Sequence, residues 1–180
     1  MKKIFILCGI LMANISLIAQ DATVVKKVTY PAGYTEQIDV VYTKVNDWEG
    51  KLDLYLPPTQ NGPSPVVINI HGGGWNKGNK ESQTGFSGFF KRGYAVANIA
   101  YRLTGVATAP AAVEDTRCAL IYLINNAKKL NIDPNKIVIM GGSAGGHLAL
   151  MGGLLENNPI FDTNCKGTKN IKVAAIIDKY

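Results

Sequence analysis

The feature that most constrains this chain is residues 136–151, KIVIMGGSAGGHLALM. Three β-branched residues in a row, Ile137, Val138 and Ile139, predict a strand. An Ala/Leu-rich run predicts a helix, and Gly141-Gly142-Ser143-Ala144-Gly145 stands between the two. A strand passing into a helix through so short a link turns sharply, and the serine at its centre takes a strained backbone conformation. Glycines at 141 and 145 remove the side chains that would crowd it. The helix aims its unpaired N–H groups and positive dipole end at the space beside the serine oxygen. Ser143 is thus placed on a sharp turn at the head of a helix, and a structural turn serine is the plain reading of it.

A second motif follows another buried strand. Residues 66–70 form a continuous run, VVINI, that ends in His71-Gly72-Gly73-Gly74-Trp75. Glycines there let backbone N–H groups turn inward with no side chain in the way. Strands are also expected at residues 24–30, 37–45 and 52–56, the last two as a hairpin around the turn residues 46–50. A Pro/Gly/Asn/Ser loop occupies 57–65. A short helix is expected at 86–92, a buried strand at 94–100, and a long helix from Pro110 to about Leu130, stopped at residues 131–134. The helix after Ser143 runs to about Glu156; a polar loop and a strand at 173–177 follow. This alternation predicts an α/β fold with a doubly wound, mostly parallel sheet.

Composition bounds the partners. A chain of 180 residues, 47% apolar and 18% charged, makes one globular domain. Lys2, Lys3 and the apolar run 4–18 read as a secretory signal over residues 1–19, leaving a mature domain 20–180 that is secreted or periplasmic. No stable membrane span is expected after cleavage. Removing Lys2 and Lys3 from the net charge of +6 leaves 17 basic against 13 acidic residues, scattered along the chain, which does not argue for nucleic acid. Export permits a Cys118–Cys165 disulfide without requiring one. No metal-ligand spacing is present, and GGSAGG lacks the second glycine of a dinucleotide fingerprint.

Several motifs taken together carry a resemblance: Leu52-Asp53-Leu54-Tyr55-Leu56-Pro57, HGGGW, Gly78-Asn79-Lys80, Gly93-Tyr94-Ala95-Val96, Tyr101-Arg102-Leu103, Asp133-Pro134 and GGSAGGH. Over residues 38–180 the chain resembles α/β-hydrolase esterases, most of all the hormone-sensitive-lipase-like carboxylesterases and the secreted feruloyl and acetyl-xylan esterases. The resemblance implies a sheet of the α/β-hydrolase type, with Ser143 as catalytic nucleophile. It implies an oxyanion hole built from Gly73, Gly74 and Ala144, each donor worth about 3–4 kcal/mol on the barrier. It implies a small-molecule or polysaccharide ester as substrate, and neither metal nor cofactor.

In that family an acid and then a histidine follow the nucleophile. Here the only histidines are His71 and His147, both expected in structural roles, and Asp178 at the end of its strand is not assigned as the acid. The expectation is an N-terminal portion of a longer esterase, lacking the last strands and the triad acid and base. An inactive remnant or binding module, and a serine peptidase on the same fold, are the alternatives. Glu114 and Asp115, adjacent on a helix, are expected to diverge and to serve helix-start electrostatics, with Asp115 bracing Tyr101-Arg102. Trp75, Tyr101 and Phe86 are expected to pack in the core rather than to line a pocket.

Overall fold

The computed structural model describes residues 27–180 apart from 166 and 169. The expected signal segment, residues 1–19, lies outside the described residues. Six strands, β1 (Thr35–Val45), β2 (Trp48–Leu56), β3 (Ser64–Ile70), β4 (Ala95–Ile99), β5 (Ile132–Gly142) and β6 (Ala175–Lys179), form one sheet in the order β1-β2-β4-β3-β5-β6. β4, β3, β5 and β6 are parallel, while β2 pairs antiparallel with both β1 and β4. Among the described residues the helices α1 (Ser87–Phe90), α2 (Pro110–Asn125), α3 (Ala127–Leu130) and α4 (Ala144–Leu154) accompany them.

The two-residue period of the strands sorts side chains onto two faces. Leu52, Leu54, Val66, Ile68, Ala97, Ile99, Ile137 and Ile139 pack on one face with Leu120 and Leu123 of α2 and Leu148 and Ala149 of α4. Tyr55, Val67, Val96, Val138 and Met140 pack on the other with Phe86 and with Phe90 of α1. From β3 the chain crosses to β4 on one side, and from β5 it crosses to β6 on the other. Adjacent strands whose connections leave in opposite directions open a crevice at their carboxyl ends, where open α/β sheets place their ligand sites. The two glycine motifs stand there, HGGGW after β3 and GGSAGG at the end of β5.

Some sequence expectations need correction. Residues 27–30 form no strand, although Val28 is buried against the second face. The hairpin turn is only Asn46-Asp47, with Asn46 at φ 51°, because Trp48, Glu49 and Gly50 already pair with β1. The loop at 57–65 contains a 3-10 turn at Thr59–Asn61, and β3 begins at Ser64. The long helix breaks at Asn126, whose amide donates to the Tyr122 carbonyl at 2.8 Å and competes with the helical ladder. β5 already begins at Ile132, inside the expected helix stop.

Behind the sheet, α2 and α4 are tied through a fully buried arginine. Arg117 donates from Nε and Nη2 to the Asp162 carboxylate at 2.8 and 2.9 Å, from Nη1 to the Gly152 carbonyl and from Nη2 to the Glu156 carbonyl. The neighbouring Cys118 is in a disulfide with Cys165, which holds the loop carrying Asp162 onto α2. Among the described residues no helix is long and apolar enough to cross a membrane. Replacing Arg117 by Ala strands a nearly buried carboxylate, with an expected cost of about 3–5 kcal/mol in urea unfolding. Cys165→Ser is expected to cost about 2–4 kcal/mol. An unchanged midpoint for Arg117→Ala contradicts this account of the α2–α4 junction.

Candidate active site

Ser143 has φ 52° and ψ −120° at the junction of β5 and α4, and it is exposed. That is the first central position of a type II′ turn, which favours glycine. A non-glycine residue there costs about 1–3 kcal/mol and persists only where the surroundings enforce it. They do. Its N–H donates to the Lys179 carbonyl of β6 at 3.2 Å, and its carbonyl accepts from His147 N at 3.1 Å, the first turn of α4. The turn is also pressed against its neighbours. A Cβ on Gly145 would overlap the Ile70 carbonyl at the end of β3, and one on Gly141 would overlap the Gly145 backbone. The sequence pattern G-x-S-x-G is thus a steric requirement of this junction.

The loop after β3 lies directly alongside. A Cβ on Gly72 would stand 2.7 Å from the Gly142 carbonyl and 3.7 Å from the Ser143 Cβ. Gly73 and Gly74 have φ 125° and 58°, and the Gly73 carbonyl accepts from Asn76 N and Lys77 N at 3.2 and 3.1 Å, coiling the loop on itself. Ala144 is the first residue of α4, so its N–H belongs to the first-turn donors that no helical carbonyl reaches. Trp75, half-buried, has φ 60°, rare for a bulky residue. Its carbonyl accepts from Thr104 N at 2.8 Å, and its ring meets His147 edge-on at 5.4 Å.

Each histidine ring is engaged elsewhere than at Ser143. His71 is 2% exposed, stacked on Tyr101 at 4.4 Å, with Nδ1 at 2.8 Å from the Gly72 carbonyl. A carbonyl only accepts, so the proton is on Nδ1. The Tyr101 hydroxyl donates back to the His71 carbonyl at 3.1 Å. Burial pushes the imidazole below its ordinary pKa, with the Gly72 hydrogen bond acting the other way. His147 is exposed, and its ring packs on Trp75 rather than beneath the turn. Asp178 is exposed at the end of β6, its carboxylate against Gly146 in the first turn of α4, where a negative charge suits the helix dipole.

Of the three aromatic residues, Phe86 and Tyr101 are buried in the core, and the half-buried Trp75 packs against it and edge-on to His147. Glu114 and Asp115 correct the sequence reading, because they do share a partner. Arg102 Nη2 lies 2.9 Å from Glu114 Oε2 and 2.8 Å from Asp115 Oδ1, and Arg102 N donates to Asp115 Oδ2 at 2.7 Å. The broad guanidinium fork spans two side chains that diverge from adjacent positions. Neither carboxylate lies in the first turn of α2, so helix-start electrostatics does not account for them. Asp115 does brace Arg102, as expected.

Sequence reasoning missed a polar row on the second face of the sheet. Asp53, Asn98 and Asn69 are neighbours across β2, β4 and β3, all buried, and Lys80 closes over them. Their signal was available: each strand carries one polar residue at the same alternate position, in LDLYL, AVANI and VVINI. Among the described residues, no three His, Cys, Asp or Glu side chains are grouped to hold a metal ion.

Comparison with known proteins agrees with this fold. The BD-FAE family model matches residues 52–180. The versiconal hemiacetal acetate esterase of Dothistroma septosporum is 31% identical over 137 residues, covering 74% of this chain and 41% of its own length. The arylesterase of Saccharolobus solfataricus is 31% identical over 151 residues, covering 82% of this chain and 46% of its own. Thermogutta terrifontis esterase 2, solved with propionate bound, is 27% identical with a TM-score of 0.66, over 82% of this chain and 54% of its own. The chain spans half or less of the length of the curated relatives it matches.

The buried neutral His71 generates a pH prediction. A histidine with a depressed folded pKa contributes stability that is present above the unfolded value of about 6.5 and is lost as pH falls through the folded one. Melting temperature should therefore fall from about pH 7.5 toward about pH 5. The slope in that window should shrink in His71→Gln, and an identical slope in the variant rules out His71 as its source.

Proposed function

This chain belongs to the BD-FAE family, and from that membership we propose that it is the nucleophile-bearing part of an exported serine carboxylesterase. The observation that carries the reading is the strained, exposed Ser143 at the crevice, flanked by the glycine loop after β3 and by the start of α4. In this reading Ser143 Oγ attacks an ester carbonyl carbon while a general base takes its proton. N–H groups of Gly73 or Gly74 and of Ala144 receive the negative charge that develops on the carbonyl oxygen. The tetrahedral adduct collapses to an acyl-serine, and the alcohol leaves with the proton returned to it. Water, deprotonated by the same base, then attacks the acyl-serine and releases the carboxylic acid.

The base and the acid that orients it come, in this reading, from outside these 180 residues. Supporting that is the engagement of both histidines: His71 with the Gly72 carbonyl and Tyr101, His147 with Trp75. Short acyl groups fit the acetate esterase and propionate-bound relatives, and an acetylated or feruloylated polysaccharide is the substrate class proposed. The disulfide supports an oxidising compartment reached through the segment 1–19. The same two engaged histidines favour one second reading, in which the 180-residue chain binds esters but does not turn them over.

A fluorophosphonate probe tests the nucleophile directly, because phosphonylation needs no deacylation. An adduct is expected at Ser143 on prolonged incubation, formed slowly because the base lies outside the chain, located by peptide mapping and absent in Ser143→Ala. Equal labelling of the two proteins removes Ser143 from the mechanism.

A further inference from the structure

Lys80 follows the glycine loop by only a few residues, yet it is buried on the second face of the sheet, 3% exposed. Its ammonium lies 2.7 Å from Asp53 Oδ1 on β2, 2.8 Å from Asp39 Oδ1 on β1 and 2.9 Å from Glu81 Oε1. An ammonium has three N–H donors, and three carboxylates take them. Burial alone would lower its pKa, but the hydrogen bonds to Asp39, Asp53 and Glu81 outweigh it and hold it above the ordinary lysine value. Its backbone is held as well: the Lys80 carbonyl accepts from Asn98 Nδ2 at 2.7 Å, and Asn98 Oδ1 accepts from Asn69 Nδ2 at 2.9 Å.

These contacts close a ring. Asn69 lies two residues before His71, the chain runs through the glycines to Lys80, and Lys80 returns through Asn98 to Asn69. The Asn79 side chain accepts from Ser82 N at 2.9 Å and seals the far end of the loop. Asp53 also accepts from the N–H of Asp39, whose φ of 56° bends β1 over the ammonium. A glycine-rich loop has the most backbone freedom to lose, and its donors act only if their directions are fixed beforehand. The anchor at the β3 end is His71 on Tyr101. The anchor at the other end is Lys80.

We propose that Lys80 is a positioning residue for the loop that carries Gly73 and Gly74, fixing the direction of their N–H groups toward Ser143 through its ring of contacts with Asp53, Asn98 and Asn69. This inference rests on the reading of that loop as the oxyanion hole. Lys80 touches no reacting atom.

The test separates positioning from charge neutralisation. Lys80→Met alone leaves three carboxylates facing one another and is expected to destabilise the chain. Lys80→Met combined with Asp53→Asn removes the buried charge, and its melting temperature should recover toward that of the parent. Hydrogen exchange of the peptide covering residues 71–79 is then measured in the parent and the double variant. Fluorophosphonate labelling is followed over a range of probe concentrations in the same two proteins. Positioning predicts exchange about tenfold or more faster in that peptide and a maximal labelling rate about tenfold lower, with the half-saturating concentration little changed. Parent-like exchange and parent-like labelling in the refolded double variant overturn the proposal. If the parent takes no label, as a base outside the chain allows, the exchange of 71–79 alone decides whether Lys80 holds the loop.

Discussion

The backbone at Ser143, held in a conformation that favours glycine, is the constraint on which the rest of the site depends. Local sequence does not stabilise it; packing does. The turn is wedged between the ends of β3 and β6, with the Ile70 carbonyl on one side and the Lys179 carbonyl on the other. Only backbone fits where Gly141 and Gly145 meet. The sheet order makes this wedge, since β3 and β5 are neighbours whose connections depart in opposite directions. One steric junction therefore sets the exposure of the serine, the start of α4 and the proximity of the glycine loop.

Around that junction the structure spends its buried polar groups on fixing loops. Arg102 with Asp115 and Glu114 secures the segment after β4, whose Thr104 N–H in turn holds the Trp75 carbonyl. Arg117 with Asp162 secures the loop after α4, helped by the disulfide. Lys80 secures the return of the glycine loop to the second face. Each cation is buried and each is matched by carboxylates, the condition under which burying a charge is tolerable. The polar chemistry of the crevice thus rests on a ring of charged anchors outside it.

Much of this was legible in the sequence, for physical reasons. The strand, turn and helix around Ser143 follow from β-branched residues, glycines and an Ala/Leu run, and the parallel strands follow from the apolar runs 66–70 and 94–100. Where the reading failed, tertiary contacts decided. Trp48 to Gly50 look like turn residues but pair with β1, and the α2–α3 break at Asn126 depends on one side-chain hydrogen bond. Glu114 and Asp115 converge on Arg102 because a guanidinium is wide, which helix spacing alone does not reveal. The polar row Asp53, Asn98 and Asn69 was visible as alternation. Its partner Lys80 was not, because a lysine in a loop gives no sign of being buried.

The most direct measurement is a crystal structure of the chain after prolonged incubation with a small alkyl fluorophosphonate, fluoride being the leaving group. The account predicts phosphorus bonded to Ser143 Oγ, with the phosphoryl oxygen hydrogen-bonded by N–H groups of Gly73 or Gly74 and of Ala144. An adduct on another residue, or a phosphoryl oxygen turned away from those donors into solvent, would contradict it.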